Sequence, residues 1–106
     1  MNDVFQWENC SMPKQPDKLT GKATLMNALG LHARCAARIA RLAQGARATV
    51  RVAHGNLEAD ATSVIDILTL ACAVGETLEF TIADPEDYDI LKALVNLVND
   101  GFGEPQ

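Results

Sequence analysis

Thr77-Leu78-Glu79-Phe80-Thr81-Ile82-Ala83, running directly into Asp84-Pro85-Glu86-Asp87, is the stretch whose period decides the fold. Leu78, Phe80 and Ile82 alternate with Thr77, Glu79 and Thr81, so an extended chain gathers the apolar set on one face. Such a strand belongs to a sheet that buries one face and leaves the other in water. The next four residues change the period: Asp84 suits a helix N-cap, Pro85 the first helical position, and the acids the first turn. Leu91, Leu94, Val95 and Val98 then recur at helical spacing until near Gly101, with Tyr88 and Phe102 extending the apolar face.

Upstream, the same two periods recur. Residues 48–53 set Ala48, Val50 and Val52 against Thr49 and Arg51, and a turn at His54-Gly55-Asn56 leads to a second strand over 57–61. His54 is read as a solvated turn residue. Ser63 is an N-cap candidate for a short helix over 64–73 that stops near Gly75, with Asp66 in place of the usual Glu or Gln of a capping box. Residues 22–28 predict a first strand with Ala23, Leu25 and Asn27 on one face, and Gly30 permits the sharp turn after it. A helix from Ala33 to Gln44 follows, with Gly45 read as the left-handed residue that closes it. The order β-α-β-β-α-β-α makes an α+β open-faced sandwich over residues 19–106. Residues 1–18 lack either period, contain Pro13 and Pro16, and predict a flexible N-terminal extension whose Val4, Phe5 and Trp7 are available for docking.

A chain of 106 residues, 48 % of them hydrophobic, supports one domain with a core that needs no staples. Cys10, Cys35 and Cys72 are odd in number and show no C-x-x-C spacing, so they predict reduced thiols, with Cys72 a small core residue. The longest apolar run, around Val64 to Leu70, is broken by Asp66 and too short to cross a bilayer. Nor does the first stretch carry a signal-peptide pattern. A cytoplasmic protein without membrane insertion is expected.

Charge is unevenly spread behind a net −5. The first thirty residues balance. Residues 31–55 hold five arginines (34, 38, 41, 47, 51) and no acid, whereas residues 56–106 hold eleven acids against Lys92 alone. A basic end on an acidic protein suits an acidic partner surface or a phosphoryl group. It argues against nucleic acid, whose backbone the remainder would repel and for which aromatic stacking residues are scarce.

Within the basic stretch lies Gly30-Leu31-His32-Ala33-Arg34. Here a histidine stands at a loop-to-helix junction, where the first helical N–H groups lack intrahelical partners and the dipole favours an anion. Arg34 adds a guanidinium that matches phosphate oxygens. Spacing by itself leaves open a capping histidine beside a surface arginine, and Arg38 and Arg41 read equally as a solvated face. His32 and Cys35, three residues apart, are two metal-ligand types on one turn. Closing a tetrahedron would need Cys10, His54 or Cys72, so neither a metal nor a cofactor is expected. No second acid–base group accompanies His32, which argues against a stand-alone enzyme.

Leu29-Gly30-Leu31-His32-Ala33-Arg34, the Ser63-Val64-Ile65 helix start, the Gly75 turn and Asn99-Asp100-Gly101-Phe102 occur in this order over about residues 19–104. Together they resemble the phosphocarrier HPr family of the bacterial phosphotransferase system. The resemblance implies four antiparallel strands with three helices on one face, in a monomeric carrier. It implies that His32 accepts a phosphoryl group at Nδ1 from phosphorylated Enzyme I, with phosphoenolpyruvate as the source and Arg34 assisting the phosphate. The group then passes to an Enzyme IIA-type protein, for sugar uptake or for nitrogen-related regulation.

Ser63 matches the serine that a regulatory kinase, opposed by a phosphorylase, modifies in some members. Ala33, Val64, Ile65 and Leu68 are the expected partner contacts, although Val64 and Leu68 read equally as core. Two positions depart from the family pattern: Cys35 stands where proline is usual, and Asp66 where a small residue is usual. Losing the proline loosens the first helical turn, and a thiol there is either a space-filling residue or a reactive one. Asp66 would repel a phosphate on Ser63. The alternative function is a non-transferring interaction module of the same fold.

Overall fold

In the computed structural model the described residues are 19–103, and the extension predicted over 1–18 lies outside them. The elements are β1 (Leu19–Thr24), α1 (Ala33–Ala43), β2 (Val50–His54), β3 (Leu57–Asp60), α2 (Val64–Leu68), β4 (Thr77–Ile82) and α3 (Tyr88–Asn99). The four strands form one antiparallel sheet in the order β1-β4-β2-β3.

The alternating strand read first in the sequence, β4, is an interior strand, paired on both sides. Its register sets Gly21 and Val52 opposite Phe80, and Leu19 and Val50 opposite Ile82, so the inward residues of three strands fall into rows. Leu78, Phe80 and Ile82 are fully buried against a core that takes Ile39 from α1, Ile67 from α2 and Leu94 from α3. Helix α3 lies directly on β1: a Cβ at Gly21 would come within 2.8 Å of Val95 Cγ2. On the open face, polar pairs cross the strands, Thr20 Oγ1 to Thr81 Oγ1 at 3.2 Å and Arg51 Nη2 to Glu58 Oε1 at 3.4 Å.

Element order and the buried faces agree with the sequence reading; several boundaries do not. Strand β1 begins at Leu19 rather than Lys22 and ends at Thr24. Leu25 and Asn27 are still buried, so the alternation outlasts the strand. Strand β2 begins at Val50 because the N–H groups of Arg47 and Ala48 are taken by the buried Asp87 carboxylate, at 2.8 and 3.2 Å, and Ala48 is exposed. Helix α1 ends without a left-handed glycine. The N–H groups of Gly45 and Ala46 turn back to the carbonyls of Leu42 and Ala43 at 3.1 and 3.0 Å, and Gly45 is not among the glycines that hold a positive φ.

Helix α2 is shorter than predicted. The Thr69 hydroxyl donates to the Asp66 carbonyl at 2.6 Å, and Ala71 takes a positive φ of 50° ahead of Gly75, so the chain leaves the helix at Leu68. Cys72 is buried as expected, but in the connection rather than in a helix. Asp84 caps as read, its Oδ1 accepting from the Glu86 N–H at 2.9 Å, yet the first turn, Pro85–Asp87, is a 3-10 turn and α3 proper starts at Tyr88. Phe102 is buried; Tyr88 is exposed, with the Lys92 ammonium 5.7 Å from its ring centroid.

Candidate functional site

The turn that leads into α1 is tied from two sides. Asn27 Nδ2 donates to the Gly30 carbonyl at 2.7 Å, and the Gly30 N–H returns to the Asn27 carbonyl at 3.1 Å. The Leu31 N–H donates to the Cys72 carbonyl at 3.1 Å. Gly30 has φ +69°, and a Cβ there would sit 3.3 Å from both the Cys72 carbonyl oxygen and the Val74 nitrogen. Both the left-handed backbone and the close approach of the second segment select glycine.

This turn delivers His32 as the N-cap residue of α1, extended at φ −126° and ψ 179°. Its carbonyl accepts the Ala36 N–H at 2.9 Å, while its side chain makes no capping bond. The half-buried imidazole turns instead toward Cys35, whose Sγ lies 3.2 Å from Nε2. Cys35 is wholly buried. No acid stands in the first turn of α1, so the positive end of the helix dipole is not offset by its own side chains. Arg34 is exposed in the same turn.

The expected partner contacts divide by exposure. Ala33 is exposed, Ile65 is 77 % exposed and Leu68 37 %, whereas Val64 is half-buried against the core. Helices α1 and α2 pack on one another. Beside them, Leu29 at 76 % and Val74 at 50 % are exposed apolar residues that the sequence reading did not single out, because each stands outside a periodic segment. Asn27 was also missed as an anchor. Its place on the buried face was legible, but its bond to Gly30 was not.

Ser63 is the N-cap of α2, its Oγ accepting the Asp66 N–H at 3.3 Å. The reciprocal half of a capping box is replaced: the Ser63 N–H donates to the Asp60 carbonyl at 3.0 Å. Asp60 builds this turn further, its Oδ1 accepting from the Thr62 hydroxyl at 2.7 Å and the Thr62 N–H at 2.9 Å. Those two bonds, chiefly the hydroxyl, hold the Asp60 carboxyl below its usual pKa.

The five arginines of the basic stretch do not form one patch. Arg34, Arg38 and Arg41 line an open cleft of about 550 Å³ with Leu42 and Leu97, and the Arg38 guanidinium donates to the Phe102 carbonyl. Arg47 pairs with Glu86 at 3.3 Å, and Arg51 with Glu58 on the open face of the sheet. His54 is not a solvated turn residue: it ends β2, and its ring lies between the Leu70 carbonyl, 2.9 Å from Nδ1, and Glu76 Oε1, 3.3 Å from Nε2. Among the described residues, no cluster of three potential metal ligands contains His32 or Cys35. Cys10 lies outside those residues.

Residues 19–100 match the family model for the PTS HPr component phosphorylation site. The chain is 32 % identical to the phosphocarrier protein HPr of Cupriavidus necator over 81 residues, 76 % of this chain and 91 % of that one. It is 38 % identical to the phosphocarrier protein NPr of Escherichia coli K12, over 76 % of this chain and 90 % of that one. The crystal structure of HPr-C-His from Thermoanaerobacter tengcongensis superposes with a TM-score of 0.74 at 29 % identity, covering 83 % of this chain and 99 % of that one. With its open antiparallel sheet, three helices and a histidine at the head of α1, the chain belongs to the HPr family of phosphotransferase-system phosphocarriers.

Proposed function

We propose that residues 19–106 form a carrier domain in which His32 Nδ1 accepts a phosphoryl group from phosphorylated Enzyme I and hands it to an Enzyme IIA-type protein. The observation that carries this reading is that His32 occupies the N-cap of α1 without spending its imidazole on the cap. In the neutral ring with its proton on Nε2, that N–H donates to Cys35 Sγ, 3.2 Å away, and the lone pair is on Nδ1. Nδ1 attacks phosphorus, the N–P bond forms, and the bond from phosphorus to the donor breaks. The three phosphoryl oxygens then face the N-terminal dipole of α1 and the Arg34 guanidinium. These partners stabilise the phosphoryl group without enclosing it, as onward transfer requires.

Ala33, Ile65 and Leu68 supply the apolar rim that a partner meets, with Val64 supporting them from the core side. The Arg34, Arg38 and Arg41 stripe steers an acidic partner toward it. Ser63 serves as the α2 cap. Its hydroxyl is engaged by the Asp66 N–H, and the Asp66 carboxylate opposes a second negative group in the same turn, so kinase control at Ser63 is secondary.

The test is a relay. The chain, charged by its cognate Enzyme I and phosphoenolpyruvate, is repurified and mixed with a sugar-specific and a nitrogen-regulatory Enzyme IIA. Loss of label from the carrier with gain on one acceptor supports the reading and names the branch. Label that reaches neither acceptor contradicts onward transfer; failure to charge the folded chain leaves the non-transferring module.

A further inference from the structure

A second cluster of chemistry-bearing side chains lies away from His32. His54 at the end of β2 meets Cys72 and Glu76 from the connection between α2 and β4, and their ligand atoms all lie within 4.8 Å of one another. We propose that His54 Nε2, Cys72 Sγ and a Glu76 carboxylate oxygen form a three-ligand site for Zn2+, with water in the fourth position.

Three features support this. First, the Leu70 carbonyl can only accept, so His54 Nδ1, 2.9 Å away, carries a proton and Nε2 is the atom presented to the cluster. A ring N–H held by a carbonyl is the usual way a ligating imidazole is oriented. Second, the segment that carries the other two ligands is fixed at its backbone. The Leu25 N–H donates to the Glu76 carbonyl at 2.9 Å, the Gly75 N–H to the Leu25 carbonyl at 2.8 Å, and the Leu31 N–H to the Cys72 carbonyl at 3.1 Å. Glu76 Oε1 is itself held by the Ala73 N–H at 2.8 Å.

Third, one nitrogen, one sulfur and one oxygen suit a tetrahedral Zn2+ and not Mg2+ or Ca2+, which require oxygen shells. Zn–N and Zn–S bonds of about 2.0 and 2.3 Å put neighbouring ligand atoms roughly 3.5 Å apart. His54 Nε2 and Glu76 Oε1 already stand 3.3 Å apart, so the closure that remains, from at most 4.8 Å, is toward Cys72 Sγ.

Without the ion, burial and then the Glu76 charge push the Cys72 thiol up to about 11, so it is protonated at neutral pH. Binding forms the S–Zn bond and releases that proton to solvent, with no redox change. The ion would lie one backbone hydrogen bond from the phosphoacceptor turn, through the Cys72 carbonyl and the Leu31 N–H.

The test titrates Co2+, as a spectroscopic probe, into the reduced full-length chain purified without an affinity tag, followed by displacement with Zn2+. Expected are one equivalent bound, a thiolate-to-cobalt charge-transfer band with tetrahedral d–d bands, and loss of both with Zn2+. Cys72→Ala removes the charge-transfer band, and His54→Gln and Glu76→Gln weaken binding by roughly tenfold or more. A Cys10→Ser, Cys35→Ala chain keeps the band. No band in the unmodified chain, a band that survives Cys72→Ala, or one that disappears with Cys10 and Cys35 overturns the proposal. If Cys72→Ala does not fold, the surface variant Glu76→Gln decides, and unchanged affinity there overturns it.

Discussion

Helices α1 and α2 both start at an extended residue with a polar side chain, and the two starts are built differently. At α2, Ser63 spends its hydroxyl on the Asp66 N–H, Asp66 brings a carboxylate into the first turn, and the helix is only five residues long. At α1, His32 leaves capping aside, no acid enters the first turn, and eleven residues of helix stand behind it. Because the macrodipole acts at the first turn and an acid placed there already satisfies it, α2 completes its own terminus. The terminus of α1 retains its attraction for an anion. The contrast teaches that two family-like helix starts on one chain are not equivalent: that of α1 has neither a side-chain cap bond nor an acid in its first turn, as the proposed phosphoryl carrier requires, whereas that of α2 is closed by its own residues.

The strongest way to break this contrast is at His32. His32→Ala should abolish acid-labile phosphate incorporation altogether while leaving thermal unfolding nearly unchanged, read by intact mass and a melting curve. Arg34→Gln comes next. Losing a charge-assisted bond to phosphate, about 1.5–3 kcal/mol, should slow phosphoryl acceptance by roughly 10- to 100-fold in rapid-quench kinetics. Cys35→Ala removes the sulfur beside Nε2. A weak acceptor is worth about 1 kcal/mol, so the rate should fall by roughly 2- to 10-fold, with the Nε2–H tautomer less populated in the ring nitrogen shifts.

At the other helix the effects should fall on stability alone. Ser63→Ala should cost about 1 kcal/mol in denaturant unfolding with His32 acceptance unaffected. A loss of acceptance as large as that of Arg34→Gln would show the two termini to be coupled. The smallest effect is expected at Asp60, whose pKa is lowered in the folded chain by the Thr62 bonds. Its stabilisation is present above the unfolded value of about 3.9 and is lost as pH falls through the folded value. Asp60→Asn should therefore cost a little stability at pH 7, where this contribution is fully present, and flatten the acid limb below about pH 4, read by denaturant unfolding across pH.

How much of this was legible follows from the range over which each feature is decided. The change of period between Ile82 and Pro85 is local, and with it the open-faced sandwich could be read from the chain. Boundaries were not local: β2 starts late because Asp87, some forty residues on, takes the Arg47 and Ala48 amides. Helix α2 stops early because Thr69 and Ala71 turn the chain before Gly75 does. His32 and Arg34 were visible as a junction motif, and His32 with Cys35 as neighbours on one turn. Which ring nitrogen faces the sulfur was not.

The charge count was legible, but its geometry was not, since strand alternation sends Arg51 to the open face of the sheet and Arg47 goes to Glu86. His54, Cys72 and Glu76 have no motif spacing at all. Only the pairing of β2 within the sheet and the return of the 70–76 connection bring them together.

The most direct measurement is a two-dimensional phosphorus–proton correlation on the chain phosphorylated by its cognate Enzyme I. Phosphorus on Nδ1 is three bonds from the ring Hε1 and four from Hδ2, whereas on Nε2 it is three bonds from both. A single phosphorus signal coupled to Hε1 of His32 and not to Hδ2 is the expected result. Coupling to both protons, a phosphate on any other residue, or a folded chain that takes up none would contradict the assignment of His32 Nδ1 as the phosphoryl acceptor.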